Sequence, residues 1–197
     1  EGEGLVYALD HTSLEIEKGD ICVILGPSGS GKSTLLNMLG GLDHLDEGEI
    51  IIGDRNLSGY RSKKLTEYRK EDVGFVFQFY NLIPDLTVEE NIQVVSDISE
   101  NPLNIDEVLE AMGMEKYRYR FPRELSGGQQ QRVAFVRALA QPLDFLFLDE
   151  PVSHLDEENA RIMSQMIKER QIEDGIGVVV TSIGYRLPYD YERIIEL

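Results

Sequence analysis

Nine residues near the start of the chain, GPSGSGKST at 26–34, bring together the groups that hold a phosphate ester. Gly26, Gly29 and Gly31 let a loop fold its N–H groups inward around a β-phosphate, with Pro27, Ser28 and Ser30 completing the turn. Lys32 supplies a point charge, the Ser33 hydroxyl is suited to Mg²⁺, and Thr34 can add a bond to an α-phosphate. The pattern G-x-x-x-x-G-K-S is complete and its context fits: the apolar run ICVIL precedes it, and a helical period begins near Lys32. A glycine-rich turn that binds nothing is the poorer reading of so full a match.

Two later stretches could share that chemistry. DFLFLDEP is an apolar strand that delivers Asp149 and Glu150 at its carboxyl end, where open α/β sheets bind their ligands. Asp149 is suited to hold Mg²⁺ through water, and Glu150, one residue further out, to polarise a water attacking a γ-phosphate. A strand end meeting a polar turn at Pro151 is the alternative. ELSGGQQQRVAFVRAL, residues 124–139, sets a serine and two glycines before a helical run, and Ser126 follows Lys32 by 94 residues (126 − 32). Alone, it reads as an ordinary capped helix.

The elements that must position these residues alternate between two periods. DICVIL (20–25), GFVF (74–77), DFLFL (144–148) and GVVVT (177–181) are nearly all apolar, as expected of strands covered on both faces of a parallel sheet. Helices are expected at 32–40, 87–95, 104–112, 127–140 and 157–172, with Thr87, Asn104 and Ser126 as N-caps. The fold class is therefore α/β. SLEIE (13–17) and GEIIIG (48–53) read as strands of an antiparallel layer, and the stretch between Gln78 and Ser126 as a helical lobe.

Bulk properties narrow the partners. At 197 residues with 42% hydrophobic content, the chain is long enough for one good core. Lys and Arg total 19 against 36 Asp and Glu, a formal charge of −17 that repels nucleic acid, so DNA and RNA are not expected as partners. The single cysteine, Cys22, lies in an apolar run and reads as a buried thiol. No apolar stretch approaches the ~20 residues that span a bilayer and no signal-peptide pattern opens the chain, so a cytoplasmic location is expected. Glu1 in place of Met, and Leu197 closing the strand-like run RIIEL, read as trimmed ends.

With LSGGQQQR added to the nucleotide loop, Gln78 and FLFLDEP, the chain resembles the nucleotide-binding subunits of ATP-binding-cassette (ABC) transporters over essentially its whole length. The resemblance implies a P-loop NTPase core with a mainly parallel sheet, an N-terminal antiparallel β layer and an inserted α-helical subdomain. Residues 1–78 and 133–197 would form the core of a single domain and about 79–132 the helical part. It implies ATP and Mg²⁺ as cofactors, ATP hydrolysis as the activity, and two subunits packed head to tail, the second being another copy of this chain or a homologous ABC subunit. Ser126, Gly127, Gly128 and Gln129 of one subunit would then face the γ-phosphate held by the other's loop, which accounts for the second glycine turn. Gln78 resembles the glutamine that senses Mg²⁺ and water while linking to the helical lobe, although a lone glutamine is otherwise a surface residue. Asp156, in SHLD (153–156), resembles the aspartate of a loop that meets the opposite subunit, and it also suits the N-cap of the helix after it. An integral membrane permease is the implied further partner, with the chain peripheral on the cytoplasmic face. NLIPDLTVEENI and GGLDHLDEGEI look most like the lipoprotein-release, macrolide-export and antimicrobial-peptide-resistance subgroup.

Two departures stand out. The family stacks adenine on an aromatic of the β layer, but Tyr7 lies only 19 residues before Gly26 (26 − 7), which looks too close, so the stacking residue is expected outside the sequence. VVVTSIGY carries Ser182 where the family has a histidine that bonds the γ-phosphate; Ser182 could instead cap the turn that follows. Hence two functions are open: an ATPase driving a transporter, favoured by Glu150, and an ATP-dependent regulatory module with low turnover, favoured by Ser182. DNA-repair and chromosome ATPases would need a long coiled-coil insertion between Lys32 and Ser126, and a small-molecule kinase would lack the signature.

Overall fold

The computed structural model of the chain describes residues 9, 11–17, 19–99, 102, 104–151, 156–184 and 191–197. Strand β1 (Ile21–Leu25) leads through the nucleotide loop into helix α1 (Lys32–Leu39). A hairpin of β2 (Ile51–Ile52) and β3 (Arg55–Asn56) and helix α2 (Ser62–Glu71) come before β4 (Val73–Val76). Helices α3 (Val88–Ser96), α4 (Ile105–Ala111) and α5 (Gly127–Leu139) then precede β5 (Phe145–Asp149). Helix α6 (Glu157–Asp174), β6 (Gly177–Ser182) and β7 (Arg193–Glu196) complete the order. The central sheet runs β4-β5-β6-β1-β7 and every pairing in it is parallel.

Each buried strand is apolar on both faces because each face has its own core. Val23, Leu146, Leu148, Val178 and Val180 point to the layer that holds Phe135, Leu139, Met163 and Ile167. Their strand neighbours Cys22, Ile24, Phe147 and Val179 point to the opposite layer with Leu35, Leu36 and Tyr68. Period-2 alternation thus survives inside an all-apolar run, sorted between two helix layers instead of between core and water. Cys22 is fully buried, and its burial pushes the thiol up to about 11.

Among the described residues no strand lies between β4 and β5, and the helices there share the first core: Val88 and Ile92 of α3, Leu109 of α4, and Met112, Met114 and Leu125 all join it. The expected caps are present. Thr87 and Glu90 form a reciprocal capping box, Asn104 accepts from Asp106 N–H, and Ser126 forms a box with Gln129.

One local expectation is corrected, and one helix lies outside the expected set. Residues 13–17 form no strand; Leu14 and Ile16 do turn toward the second core while their neighbours are exposed. Alternation sets which side chains face inward, but a strand also needs a neighbour to take its backbone hydrogen bonds, and among the described residues the antiparallel layer is only the β2–β3 hairpin. Helix α2 was not expected, because SKKLTEYRKE buries only Leu65 and Tyr68, a stripe too thin to stand out in the pattern. Tyr68 anchors it, donating its phenol proton to Leu39 O at 3.0 Å.

Candidate nucleotide site

Parallel pairing puts the carboxyl ends of β1, β6, β5 and β4 side by side at one edge of the sheet. Leu25 pairs with Ser182, Asp149 with Thr181, and Val76 with Leu148. Register alone therefore sets the nucleotide loop beside Ser182, and Glu150 level with Gln78, each two residues beyond the last β4–β5 pair.

The loop closes on itself. Lys32 is buried, 4% exposed, and its ammonium donates to Gly26 O and Pro27 O, both at 2.9 Å. Gly26 N–H donates to Ser182 O at 3.3 Å, which ties the loop to β6. Gly29 and Gly31 have φ of 82° and 95°, a region open to glycine and costly to residues with a Cβ. A Cβ on Gly26 would lie 2.5 Å from Ser30 Oγ and 2.8 Å from Leu197 O. Ser30 Oγ is itself buried with no hydrogen-bond partner in the loop as it stands. Helix α1 opens at Gly31 without a side-chain cap, so no side chain competes for its first N–H groups. An orphaned buried hydroxyl, an uncapped helix start and a buried ammonium held only by carbonyls fit a bound polyphosphate.

The predicted metal and water groups meet across the sheet edge. Ser33 Oγ donates to Asp149 Oδ1 at 3.1 Å, although the two are 116 residues apart. Gln78 Nε2 donates to Glu150 Oε2 at 3.2 Å. Glu150 has φ 47°, a left-handed conformation rare for a residue with a side chain. Among the described residues no group of three or more His, Cys, Asp or Glu could hold a metal by itself. A hard cation here would need phosphate oxygens and water besides Ser33 and Asp149, as Mg²⁺ commonly has.

The second glycine turn is not brought to the first. Ser126 and Gly127 are exposed, and Ser126 and Gln129 bond each other, Gln129 N–H to Ser126 Oγ at 3.3 Å and Ser126 N–H to Gln129 Oε1 at 2.9 Å. Among the described residues no hydrogen bond joins 124–132 to 26–34. Asp156 is the N-cap of α6, accepting from Asn159 N–H at 2.8 Å, and that bond holds its carboxyl below the usual range. Ser153, His154 and Leu155 lie outside the described residues, as does Tyr7. Ser182 is 3% exposed and its hydroxyl accepts from Gly184 N–H at 3.2 Å, so it does cap the turn after β6.

Several supporting residues escaped the sequence. Gln131, buried within the signature run LSGGQQQR, donates to Pro151 O and so links α5 to the Asp149–Glu150 turn. Asn91, fully buried, accepts from Ile83 N–H and donates to the carbonyls of Ile83, Leu86 and Thr87, fastening the segment after Gln78 to α3. Arg137 donates to the carbonyls of Tyr80 and Asn81, two residues with positive φ. Gln131 lies inside LSGGQQQR and Asn91 inside NLIPDLTVEENI, yet at neither position does the residue type alone mark a tertiary contact. Their signal in the sequence, a polar residue inside an apolar helix face, is shared by many residues that do nothing of the kind.

A glycine-rich loop after the first strand that fits a polyphosphate, with acidic residues at the end of a parallel strand one place removed in the same sheet, defines a P-loop nucleotide-binding protein. The ABC transporter family model matches residues 9–153, and the chain belongs to that family. An ABC transporter ATP-binding protein of Mycoplasma pneumoniae is 42% identical over 172 residues, covering 85% of this chain; the chain spans 37% of that relative's length. The lipoprotein-releasing system ATP-binding protein LolD of Buchnera aphidicola is 43% identical over 169 residues, covering 83% of this chain and 74% of the relative. Its name agrees with the subgroup expected above. A solved dimer of the ATP-binding cassette MJ0796, in a post-hydrolysis state bound to ADP and Pi, superposes with a TM-score of 0.92 at 38% identity, covering 100% of this chain and 89% of that one. Among the described residues no helix is long and apolar enough to cross a membrane.

Proposed function

We propose that the chain binds and hydrolyses Mg-ATP as one half of a head-to-tail dimer that drives an integral membrane permease. The observation that carries this reading is the convergence of Ser33 with Asp149 and of Gln78 with Glu150 at neighbouring strand ends. The loop N–H groups and Lys32 would hold the β- and γ-phosphates, Lys32 exchanging its carbonyl partners for phosphate oxygens. Ser33 and Asp149 would hold Mg²⁺, which would supply positive charge against the phosphates. Glu150 would take the proton of the attacking water, with Gln78 orienting its carboxylate.

The exposed, capped start of α5 supports the dimer: its surface is free for another subunit, whose ATP it would meet with Ser126, Gly127, Gly128 and Gln129. Asp156 would lie in the same interface. The segment 79–132 is the helical subdomain in this reading, and it would reach the permease near Gln78. Glu150→Gln keeps the geometry and loses the base. Turnover should fall roughly 10²–10⁴-fold while an ATP-bound dimer accumulates in light scattering. A variant that stays monomeric at saturating Mg-ATP would remove the dimer from the mechanism.

A second reading, an ATP-dependent regulatory module with low turnover, is favoured by Ser182, whose hydroxyl accepts from Gly184 N–H. A serine cannot carry the positive charge an imidazole can. Loss of one preorganised donor typically costs about 3–4 kcal/mol, or ~10²–10³ in rate. Ser182→His, assayed with the permease present, should raise kcat by up to that factor with ATP affinity unchanged. An unchanged kcat would mean that the wild-type rate is limited elsewhere.

A further inference from the structure

We infer that Thr181 is a positioning residue for both carboxylates of the site, an inference that rests on the Mg-ATP reading above. Thr181 is fully buried near the end of β6 and lies opposite Asp149 in the parallel register. Its hydroxyl donates to Asp149 Oδ1 at 2.6 Å and accepts from Glu150 N–H at 3.1 Å. One hydroxyl carries one proton and two lone pairs, so a single side chain can serve both neighbours at once.

Each bond has a distinct consequence. Asp149 Oδ1 already receives Ser33 Oγ at 3.1 Å, and the second hydroxyl from Thr181 sets how the carboxylate is turned about its own axis. Glu150 holds its left-handed backbone directly after the strand, a conformation that persists only where the surroundings enforce it. The bond from its N–H to Thr181 supplies part of that enforcement and so sets where the Glu150 side chain leaves the sheet. Thr181 is stiff about its first side-chain torsion, being β-branched, and it sits in the strand between the nucleotide loop and the acidic turn. It is one residue from Ser182, yet it acts on the carboxylates and not on the phosphate.

The test compares wild type, Thr181→Val, Thr181→Ala and Thr181→Ser in the full chain, with a fluorescent ATP analogue as the probe. Affinity is measured in EDTA and then as a function of Mg²⁺ concentration, and kcat follows in the same preparations. Outer-sphere ligand supports of this kind typically account for about 10–100-fold in metal affinity or activity. The Val and Ala variants should raise the half-saturating Mg²⁺ by about tenfold and lower kcat, with affinity in EDTA unchanged; Ser should restore wild-type behaviour. An unchanged Mg²⁺ dependence in the Val variant overturns the inference. So does an equal loss of affinity with and without metal in both hydroxyl-free variants, including loss through unfolding, and so does a Ser variant as impaired as Val. A wild-type chain that binds no nucleotide under any of these conditions overturns the site reading itself.

Discussion

The two glycine turns have similar sequences and opposite surroundings. At 26–34 the helix start lacks a side-chain cap, Lys32 is buried, and Ser33 reaches Asp149 in a distant strand. At 124–132 the helix start is capped by its own Ser126, Ser126 and Gly127 face outward, and the bonds of the cap are local. The first turn has tertiary partners for its charged and hydroxyl groups, whereas the exposed start of the second has only its own cap and its N-terminal dipole. A glycine-rich helix start becomes a complete anion site only when charge and metal-binding groups are brought to it from elsewhere, by the same chain or by another.

The largest expected contrast lies between Lys32→Ala and Ser126→Arg. Removing the buried ammonium deletes a charged hydrogen-bond donor, typically about 1.5–3 kcal/mol, so ATP affinity should drop roughly 10–100-fold. Ser126→Arg should leave ATP affinity unchanged and abolish ATP-dependent dimers. Titration with fluorescent ATP, paired with light scattering, reads both. Equal loss of affinity in the two variants would mean that both turns serve one site within the chain.

A methyl group sharpens the comparison further. In Gly26→Ala the new Cβ must push the Leu197 backbone carbonyl aside, and overpacking of about 1–3 kcal/mol should weaken ATP binding by roughly tenfold. In Gly127→Ala the Cβ, at the first residue of α5, meets among the described residues only Tyr80 Oη, at 3.4 Å. Alanine is the better helix former by about 0.5–1 kcal/mol, so this variant should be as stable as wild type or more so, and dimerise poorly where the added methyl stands between helix and phosphate. Thermal melts and ATP titrations of the pair check this, and a Gly127→Ala protein that dimerises normally would remove that N–H surface from the interface.

The smallest effect concerns Asp156. Its carboxyl is held low by Asn159 N–H, so the stabilisation is fully present above the ordinary carboxylate range and is lost as pH falls through the lowered value. Asn is a comparable cap that does not titrate. The melting temperature of wild type should therefore fall relative to Asp156→Asn as pH drops below about 4; parallel pH profiles would show that the bond to Asn159 contributes no pH-dependent stability.

What could be read from the chain alone was whatever is contiguous. The nucleotide loop is a run of nine residues whose own backbone makes the cradle. Ser126, Thr87 and Asn104 cap helices with partners two or three residues away, and the apolar strands announce burial by composition. The sequence by itself therefore determined the α/β class, the cradle and the caps, since their physics acts over a few residues. It left Asp156 with two roles, of which the described geometry shows the cap. Tertiary structure decided everything that depends on register: that Ser33 meets Asp149, that Gln78 meets Glu150, and that Thr181 lies between the two carboxylates and the loop. It also decided that residues 13–17 have no ladder although their side chains alternate, and that α2 is held by buried Leu65 and Tyr68. A parallel sheet has no local turn to set its pairing, and the right neighbour is chosen only when distant strands pack together with their helices on both faces.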